Sequence, residues 1–166
     1  MNKRDYLHDA ATIMECITKG AFLTVKAGEQ LNTMTIGWAT LGYIWQRPVF
    51  MIAVRDSRHT FTLLEQTDNY TVSIPVGDNY KDAITFCGTK SGREIDKFAK
   101  CALATKAAQR VQSPIVDIPA IHYECTIIHK SAMDPHCMAN SLEKLYPKKD
   151  YHTLYFGEIV ACYETA

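Results

Sequence analysis

The chain has 166 residues, 47% of them hydrophobic and 22% charged, which predicts one domain spanning residues 1–166 with one sizeable core. Its 18 basic and 18 acidic residues give a formal net charge of zero, which argues against nucleic-acid or membrane-surface binding. Two copies of such a chain would repel each other little, so a homo-oligomer is compatible with the charge. No stretch approaches the ~20 apolar residues of a membrane span, and the polar N-terminus lacks the apolar run of a signal peptide, so we expect a cytoplasmic protein.

The first third of the chain predicts one helix followed by a run of strands. Residues 5–19 have the spacing of a short helix, because Ile13 and Ile17 lie four positions apart, and Gly20 is a typical stop. Runs rich in β-branched and aromatic residues come next. They predict strands over 21–26, 32–38, 41–45 and 48–54.

The segment Asn32–Trp38 alternates small polar residues with apolar ones and ends in a tryptophan. The side chains of a strand point alternately to its two faces, so the segment divides into two sets. One face would hold Asn32, Met34, Ile36 and Trp38, and the other Thr33, Thr35 and Gly37. In one interpretation Trp38 is a flat plate beside a ligand and Asn32 is a hydrogen-bond donor. In the other, Trp38 simply fills the interior of a barrel.

Arginine, serine, histidine and threonine cluster where the strand over 48–54 gives way to a predicted helix over 58–67. Backbone N–H groups at the start of a helix favour anions, and hydroxyls and a guanidinium add further donors. The segment Ser57–Thr60, preceded by Arg55, is therefore a candidate phosphate site. The alternative is a solvated helix start with Ser57 as its N-cap.

The middle of the chain predicts a strand over 70–74, closed by Pro75, and then a helix. The helix would cover 79–87, with Asp78 as its cap and Gly88 as its stop.

The motif Ser91-Gly-Arg-Glu94 is a capping box, which predicts the start of another helix. The buried face of that helix would consist of Ile95, Phe98 and Ala99. Lys97 lies six positions past Ser91, within reach of a ligand at the helix flank. A fixed cation there would stabilise the anionic reduced ring of a flavin. The alternative is a surface salt bridge with Asp96 or a neighbour.

The last third of the chain predicts two long strands around an unclear segment. The strands cover 121–130 and 153–163, and the segment 131–150 has a short helix near 138–145. His152 precedes an aromatic strand, where it would contact a cofactor or substrate, or else be solvated.

Short consecutive strands with a few inserted helices favour a mainly β fold, an antiparallel barrel with peripheral helices. The chain contains no G-x-G-x-x-G motif and no P-loop. Its six cysteines include no C-x-x-C pair, so we expect reduced, mostly buried thiols and no metal site. Cys87 is the cysteine closest to the candidate site, and its reactivity would require exposure and a lowered pKa.

Six segments follow one another in an order typical of one family. They are Asn32–Trp38, Arg47–Val54, Ser57–Thr60, Ser73–Pro75, Cys87–Phe98 and His152–Ile159. Through them, residues 20–160 resemble the flavin reductase-like proteins of the FMN-binding split-barrel fold, and within these the flavoredoxin group. The resemblance implies an antiparallel split β-barrel that works as a homodimer, with one FMN held non-covalently in each subunit near the dimer interface.

The resemblance also implies roles for ten residues, although it names no catalytic one. Those lining the flavin would be Asn32, Met34, Thr35 and Trp38. Those meeting its phosphate or ribityl chain would be Ser57, Arg58 and Thr60. Those lying close to the cofactor would be Ser91, Lys97 and His152. The segment 131–150 matches no nicotinamide-handling element, which leaves the electron donor open.

Three functions are compatible with this pattern. The leading hypothesis is an FMN-dependent oxidoreductase that passes electrons from NAD(P)H or a reduced protein to free flavin, a redox partner or a small acceptor. The second is a flavoredoxin-type FMN electron carrier without NAD(P)H turnover of its own. The third keeps the barrel without the flavin, as a structural or small-ligand-binding domain.

Overall fold

A computed structural model describes residues 2–3, 10–77 and 79–166. The strands are β1 (Asn2–Lys3), β2 (Ala21–Ala27), β3 (Gln30–Ile36), β4 (Ala39–Ile44), β5 (Arg47–Arg55), β6 (Asn69–Pro75), β7 (Thr105–Lys106), β8 (Ile115–Val116), β9 (Ala120–Ala132) and β10 (His152–Thr165). The helices are α1 (Ala10–Lys19), α2 (His59–Leu64), α3 (Lys81–Thr89) and α4 (Lys97–Lys100), with 3-10 helices at Pro135–Cys137 and Asn140–Leu145.

Eight of the strands form one antiparallel sheet. The hydrogen-bonded order is β3-β2-β6-β9-β10-β5-β4, and β1 pairs with β10, while β7 and β8 form a separate small ladder. Strands from both ends of this order contribute to one core cluster, since Met34 of β3 and the partly buried Leu41 of β4 both belong to it. The sheet therefore curves around its core, and the mainly β antiparallel fold predicted from the sequence is confirmed.

The strand predicted to end at Trp38 is shorter than expected. β3 ends at Ile36, and the Trp38 carbonyl oxygen accepts a hydrogen bond from the Ala53 amide of β5 (3.1 Å). Trp38 thus lies on the crossing from β3 to β4 and is 42% exposed. The prediction that it continues the Asn32 face, and the alternative that it fills the barrel, are both wrong. Trp45 was predicted to end the strand over 41–45, but β4 ends at Ile44. Trp45 and Gln46 instead form a two-residue turn in which both have positive φ.

The helix start predicted at Ser57 is also corrected. α2 has only six residues, Arg58 occupies its N-cap position, and no side chain caps it. The Ser57 hydroxyl instead donates to the Asp150 carboxylate (3.2 Å). In the following helix Gly88 is not the stop, because α3 continues to Thr89. The predicted cap Asp78 and residues 5–9 of the first helix lie outside the described residues.

The capping box predicted at Ser91 does not form. α4 begins at Lys97, because the Asp96 carboxylate accepts from the Phe98 amide (2.9 Å) and the Ala99 amide (3.1 Å). The Ser91 hydroxyl accepts only from the Arg93 amide (3.3 Å), and the Glu94 amide donates to the Ser91 carbonyl oxygen (3.3 Å) and not to the hydroxyl. The buried residue of α4 is Lys97. Phe98 packs half-buried against a core cluster as predicted, but Ala99 is exposed, so the predicted buried face forms only in part.

Candidate functional site

Two adjoining cavities lie where β3, β5 and the loop after α3 meet. The first, about 240 Å³, is the polar cavity, and the predicted site residues in its wall are Asn32, Met34, Ser57, Arg58, Thr60, Ser91 and Lys97. The second, about 170 Å³, is the aromatic cavity, and it is lined by the remaining three, Thr35, Trp38 and His152. Both cavities share Met34, Arg55 and Arg58. The structure therefore brings all ten predicted residues around one continuous region.

The wall of the polar cavity depends on a close approach between β3 and the loop after α3. A Cβ atom on Gly92 would lie 2.1 Å from the Asn32 side-chain oxygen, so any larger residue at this position would displace the Asn32 side chain. The Asn32 amide donates to the Thr60 hydroxyl oxygen (2.7 Å), which ties β3 to α2. Because Thr60 accepts this bond, its own O–H proton stays available to a ligand.

Lys97 is a buried cation in this wall, with only 4% of its surface exposed. Its ammonium donates to the carbonyl oxygens of Thr33 (3.0 Å) and Cys87 (2.9 Å). Burial lowers the pKa of Lys97, and the nearby Arg58 guanidinium acts in the same direction. Two hydrogen bonds leave the third ammonium proton for a ligand, and an anion there would offset the cost of burying the charge. The salt bridge proposed between Lys97 and Asp96 is absent from the described ion pairs.

The two candidate arginines have different partners. Arg55 is paired with the Asp150 carboxylate at 2.7 Å and also donates to the Leu145 carbonyl. Arg58 donates to the Gly88 carbonyl (2.8 Å) and takes part in no ion pair among the described residues. Arg58 is therefore the arginine with charge left for an anion, and Arg55 is a structural clamp on the segment that follows Asn140–Leu145.

The electrostatic potential in the polar cavity is positive, and the lowered pKa of His59 reflects it. Burial lowers the pKa of His59, and the cations Arg93 and Lys97 lower it further. Since α2 is only six residues long, its dipole adds little to this field. The anion preference expected from a helix start rests instead on Arg58, Lys97 and the surrounding hydroxyls.

The aromatic cavity is built around Trp38 and His152, whose rings lie 4.7 Å apart. The His152 Nδ1 atom is hydrogen-bonded to the Tyr146 hydroxyl (2.8 Å), and Tyr146 meets Trp38 edge-on at 6.2 Å. Burial lowers the pKa of His152 to about 4, with the Arg55 cation acting in the same direction, so this ring is neutral at pH 7. The interpretation of His152 as a solvated strand start is wrong, because the residue is buried.

Tyr146 and Asp150 are two site residues that sequence reasoning missed. Tyr146 completes the Trp38–His152 cluster, and Asp150 holds both Arg55 and Ser57. The segment 131–150 carries no periodic pattern that would have placed them. The one signal was local, a concentration of aromatic residues directly before His152 that includes Tyr146 and Tyr151.

Cys87 has the surroundings of an unreactive thiol. It is fully buried inside α3, and burial raises its pKa to about 12, with Cys101 adding to the effect. All six cysteines are free.

In the part of the chain that the structure describes, no group of three or more His, Cys, Asp or Glu side chains could hold a metal ion. None of the helices in that part has the length and apolar character needed to span a membrane.

The arrangement suits an anion joined to a flat ring by a chain of hydroxyls. Arg58 and Lys97 offer unpaired positive charge, and Ser57, Thr60 and Ser91 offer hydroxyls in the same wall. The aromatic cavity opens beside them, so a ring placed there would contact Trp38 or His152. The donor set of the described residues therefore fits a flavin mononucleotide.

Comparisons with known proteins identify the family and the fold. A family model described as "Flavin reductase like domain" matches residues 13–166. Similar solved structures include flavoredoxin of Desulfovibrio vulgaris (Miyazaki F), with a TM-score of 0.70 and 22% identity over 88% of this chain and 69% of that one. An FMN-binding protein from Thermus thermophilus gives a TM-score of 0.68 at 23% identity, covering 87% and 69%. An NADH:FAD oxidoreductase of Streptomyces globisporus C-1027 gives 0.66 at 17%, covering 88% and 75%. At these identities the structural likeness establishes the fold.

Proposed function

The chain belongs to the flavin reductase-like family, and we propose that it is an oxidoreductase that holds FMN non-covalently. Electrons would pass from NAD(P)H or a reduced protein to free flavin, a redox partner or a small acceptor. The observation that carries this proposal is the pair of cations without carboxylate partners, Arg58 and Lys97, in a cavity that opens onto Trp38 and His152. The isoalloxazine ring of a bound flavin supplies the redox chemistry.

The protein's part in this function is to bind and orient. Arg58 and Lys97 would neutralise the phosphate, and the hydroxyls of Thr60 and Ser91 would donate to the phosphate or ribityl oxygens. The Ser57 hydroxyl donates to Asp150, so its oxygen would accept from a ribityl hydroxyl. Lys97 lines the polar cavity and not the aromatic one, which favours a role at the phosphate end over one beside the ring. Trp38 and the neutral His152 would lie against the ring and exclude water from one side of it.

The first experiment tests flavin binding and the role of charge. Purified protein is titrated with FMN and with riboflavin, which lacks the phosphate, and the visible spectrum is recorded. We expect Arg58→Ala to weaken FMN binding by about 100-fold, because charge-assisted hydrogen bonds to the phosphate are lost, and to change riboflavin binding by less than about threefold. Arg47→Ala removes an exposed arginine that pairs with Glu158 and is the matched control. Protein that takes up no FMN would refute the proposal.

A flavoredoxin-type carrier without NAD(P)H turnover is the alternative within the same family. The flavoredoxin among the structural neighbours supports it, and the NADH:FAD oxidoreductase supports the enzyme. Anaerobic mixing of the FMN-loaded protein with NADH or NADPH separates the two. We expect bleaching of the flavin absorbance within seconds. A flavin that stays oxidised with both nucleotides, yet is reduced by dithionite, would favour the carrier.

We further propose that the protein is a cytoplasmic homodimer. The zero net charge is compatible with self-association, and the β4–β5 hairpin exposes Tyr43, Ile44 and Trp45, an apolar tip that a second copy would cover. Sedimentation equilibrium should give twice the mass of the chain. The single-chain mass at micromolar concentration would contradict this proposal.

A further inference from the structure

A third opening, the apolar cleft, lies beside the aromatic cavity and shares Trp38 with it. Its volume is about 640 Å³, within the range of roughly 300–1,000 Å³ found for small-molecule sites. The end of β9, the two 3-10 helices and β10 form it. Its larger apolar side chains include Trp38, Met133, Met138, Leu142, Leu145 and Tyr146. Methionine side chains adapt to ring-shaped ligands, and aromatic ones stack on them.

The lining of the cleft carries almost no charge. Among the described residues that form it, Asp134 is the one ionisable carboxylate, and there is no lysine or arginine. The Asp134 carboxylate already accepts from the His136 amide (2.9 Å) and lies 3.7 Å from the Cys137 sulfur, so it serves as a helix cap. The Ser131 hydroxyl is a neutral donor at the wall. A phosphate, sulfonate or carboxylate in this cleft would lose its hydration without gaining a cation.

The cleft is continuous with the proposed flavin site through one side chain. Trp38 borders both the cleft and the aromatic cavity, and Tyr146 meets it edge-on. The Arg55 guanidinium lies 4.7 Å from the Tyr146 ring centroid and 5.9 Å from that of Trp38, and it lines the other two cavities but not the cleft. The arginines therefore lie on one side of the Trp38–Tyr146 pair and the cleft lies on the other. A neutral molecule in the cleft would contact Trp38, which also borders the aromatic cavity.

We infer that the apolar cleft binds a neutral, flat, largely apolar ring compound about the size of a naphthalene. The volume admits it, and the methionine, leucine and aromatic side chains of the walls would contact its faces. The lining holds one carboxylate and no cation, which selects against anions. The place of this ligand beside a flavin rests on the proposed function, whereas its binding needs only the cleft.

The test uses two probes with the same ring system and different charge. 2-Naphthol, neutral at pH 7, and naphthalene-2-sulfonate are titrated calorimetrically into the protein with and without FMN. We expect saturable binding of 2-naphthol to one site per chain in both forms, and binding at least about tenfold weaker for the sulfonate, because its charge is desolvated without a partner. Equal affinities for the two probes, or no saturable binding of 2-naphthol, would overturn the inference.

Two matched variants locate the site. Leu142 lines the cleft and is 42% exposed, so Leu142→Glu adds a charge there that the fold tolerates; Val76 is 49% exposed, does not line the cleft and gives Val76→Glu as control. We expect Leu142→Glu to weaken 2-naphthol binding at least about tenfold and Val76→Glu less than twofold, with FMN affinity unchanged in both. Wild-type affinity of Leu142→Glu for 2-naphthol would overturn the inference.

The same variants distinguish this inference from two other outcomes. If a second copy of the chain fills the cleft, Leu142→Glu dissociates the assembly in sedimentation and the wild-type assembly excludes 2-naphthol, which also overturns the inference. If no variant and no wild-type protein takes up FMN, the proposed flavin function fails. The probe titrations on the FMN-free protein then still decide whether the cleft binds neutral rings.

Discussion

The polar cavity and the apolar cleft lie on either side of the Trp38 cluster and differ in charge. The polar cavity holds Arg58 and Lys97 without carboxylate partners, while the cleft contains a capped Asp134 and a set of Leu and Met side chains. The difference shows how neighbouring sites on one fold can select ligands of different charge, an anion in one and a neutral molecule in the other. A buried cation favours binding of an anion, whereas an apolar wall without a cation disfavours it. A substitution that weakens ligand binding in one of the two regions should leave ligand binding in the other unchanged.

The largest effect is expected when the buried cation is removed. Lys97→Met should lower the free energy of unfolding by about 2–4 kcal/mol, because the Thr33 and Cys87 carbonyls lose a buried donor. Urea unfolding measures this, and Lys100→Met, an exposed position in the same short helix, is the control. A variant as stable as the wild type would show that the ammonium does not hold β3 to α3. Binding of 2-naphthol by the folded variant should be unchanged.

The next effect concerns Trp38, which borders both the aromatic cavity and the apolar cleft. Trp38→Ala should weaken FMN and 2-naphthol binding by about 10- to 100-fold each, since an aromatic stacking contact is worth about 1–3 kcal/mol. Trp38→Phe should restore most of both. Phe86→Ala removes a half-buried aromatic residue of α3 that lines none of the three cavities and serves as the control. Loss of only one ligand would show that Trp38 belongs to one region alone, and unchanged FMN affinity would show that it is not the aromatic plate.

The burial of His152 beside Trp38 should make the free energy of unfolding depend on pH. His152 has a pKa near 4 in the fold against an ordinary 6.5, so its contribution is fully present above pH 6.5 and is lost as the pH falls towards 4. A shift of this size corresponds to about 3 kcal/mol. His122, also held near 4 by burial, contributes in the same window.

The comparison of variants isolates the His152 part of this dependence. Between pH 6.5 and 4, His152→Gln should lose less unfolding free energy than the wild type, while His136→Gln, at an exposed position, should follow the wild-type curve. Parallel curves for all three proteins would mean that His152 is not held neutral by the Trp38 and Tyr146 cluster.

Salt should produce the smallest effect and separate the two regions without mutation. Raising the ionic strength from about 0.02 M to about 0.5 M should weaken FMN binding a few-fold, because the attraction between the phosphate and the cavity cations is screened. Binding of neutral 2-naphthol should not weaken. Calorimetry at both salt concentrations measures the pair, and an equal weakening of both ligands would contradict the assignment of charge to one side only.

Much of the fold could be predicted because strand signals are local. The runs over 21–26, 48–54 and 70–74 fall inside β2, β5 and β6, since β-branched and aromatic residues favour a buried, pleated surface wherever they occur together. The helix starts were less predictable. Ser91 and Asp96 are both good caps by type, and which one forms the cap is decided by where β3 places Lys97.

The candidate site shows the same division. The ten residues predicted through the family resemblance come together in two adjoining cavities, although their contacts with a flavin stay a prediction. Tyr146 and Asp150 could not be predicted, because what matters about them is their contact with Trp38, Arg55 and Ser57, far away in sequence.

The amino-acid sequence by itself determined the mainly β fold and the residue types available for binding an anion and a ring, because both depend on local patterns of polarity and shape. Only the tertiary structure decided which charged side chains form ion pairs within the protein and which remain available to a ligand. Arg55 is neutralised by Asp150 and Arg58 is not, Lys97 is buried instead of solvated, and Trp38 lies between two cavities instead of inside the barrel. Those outcomes depend on pairings across many residues, and the energy of a charge or a ring is set by what surrounds it in space.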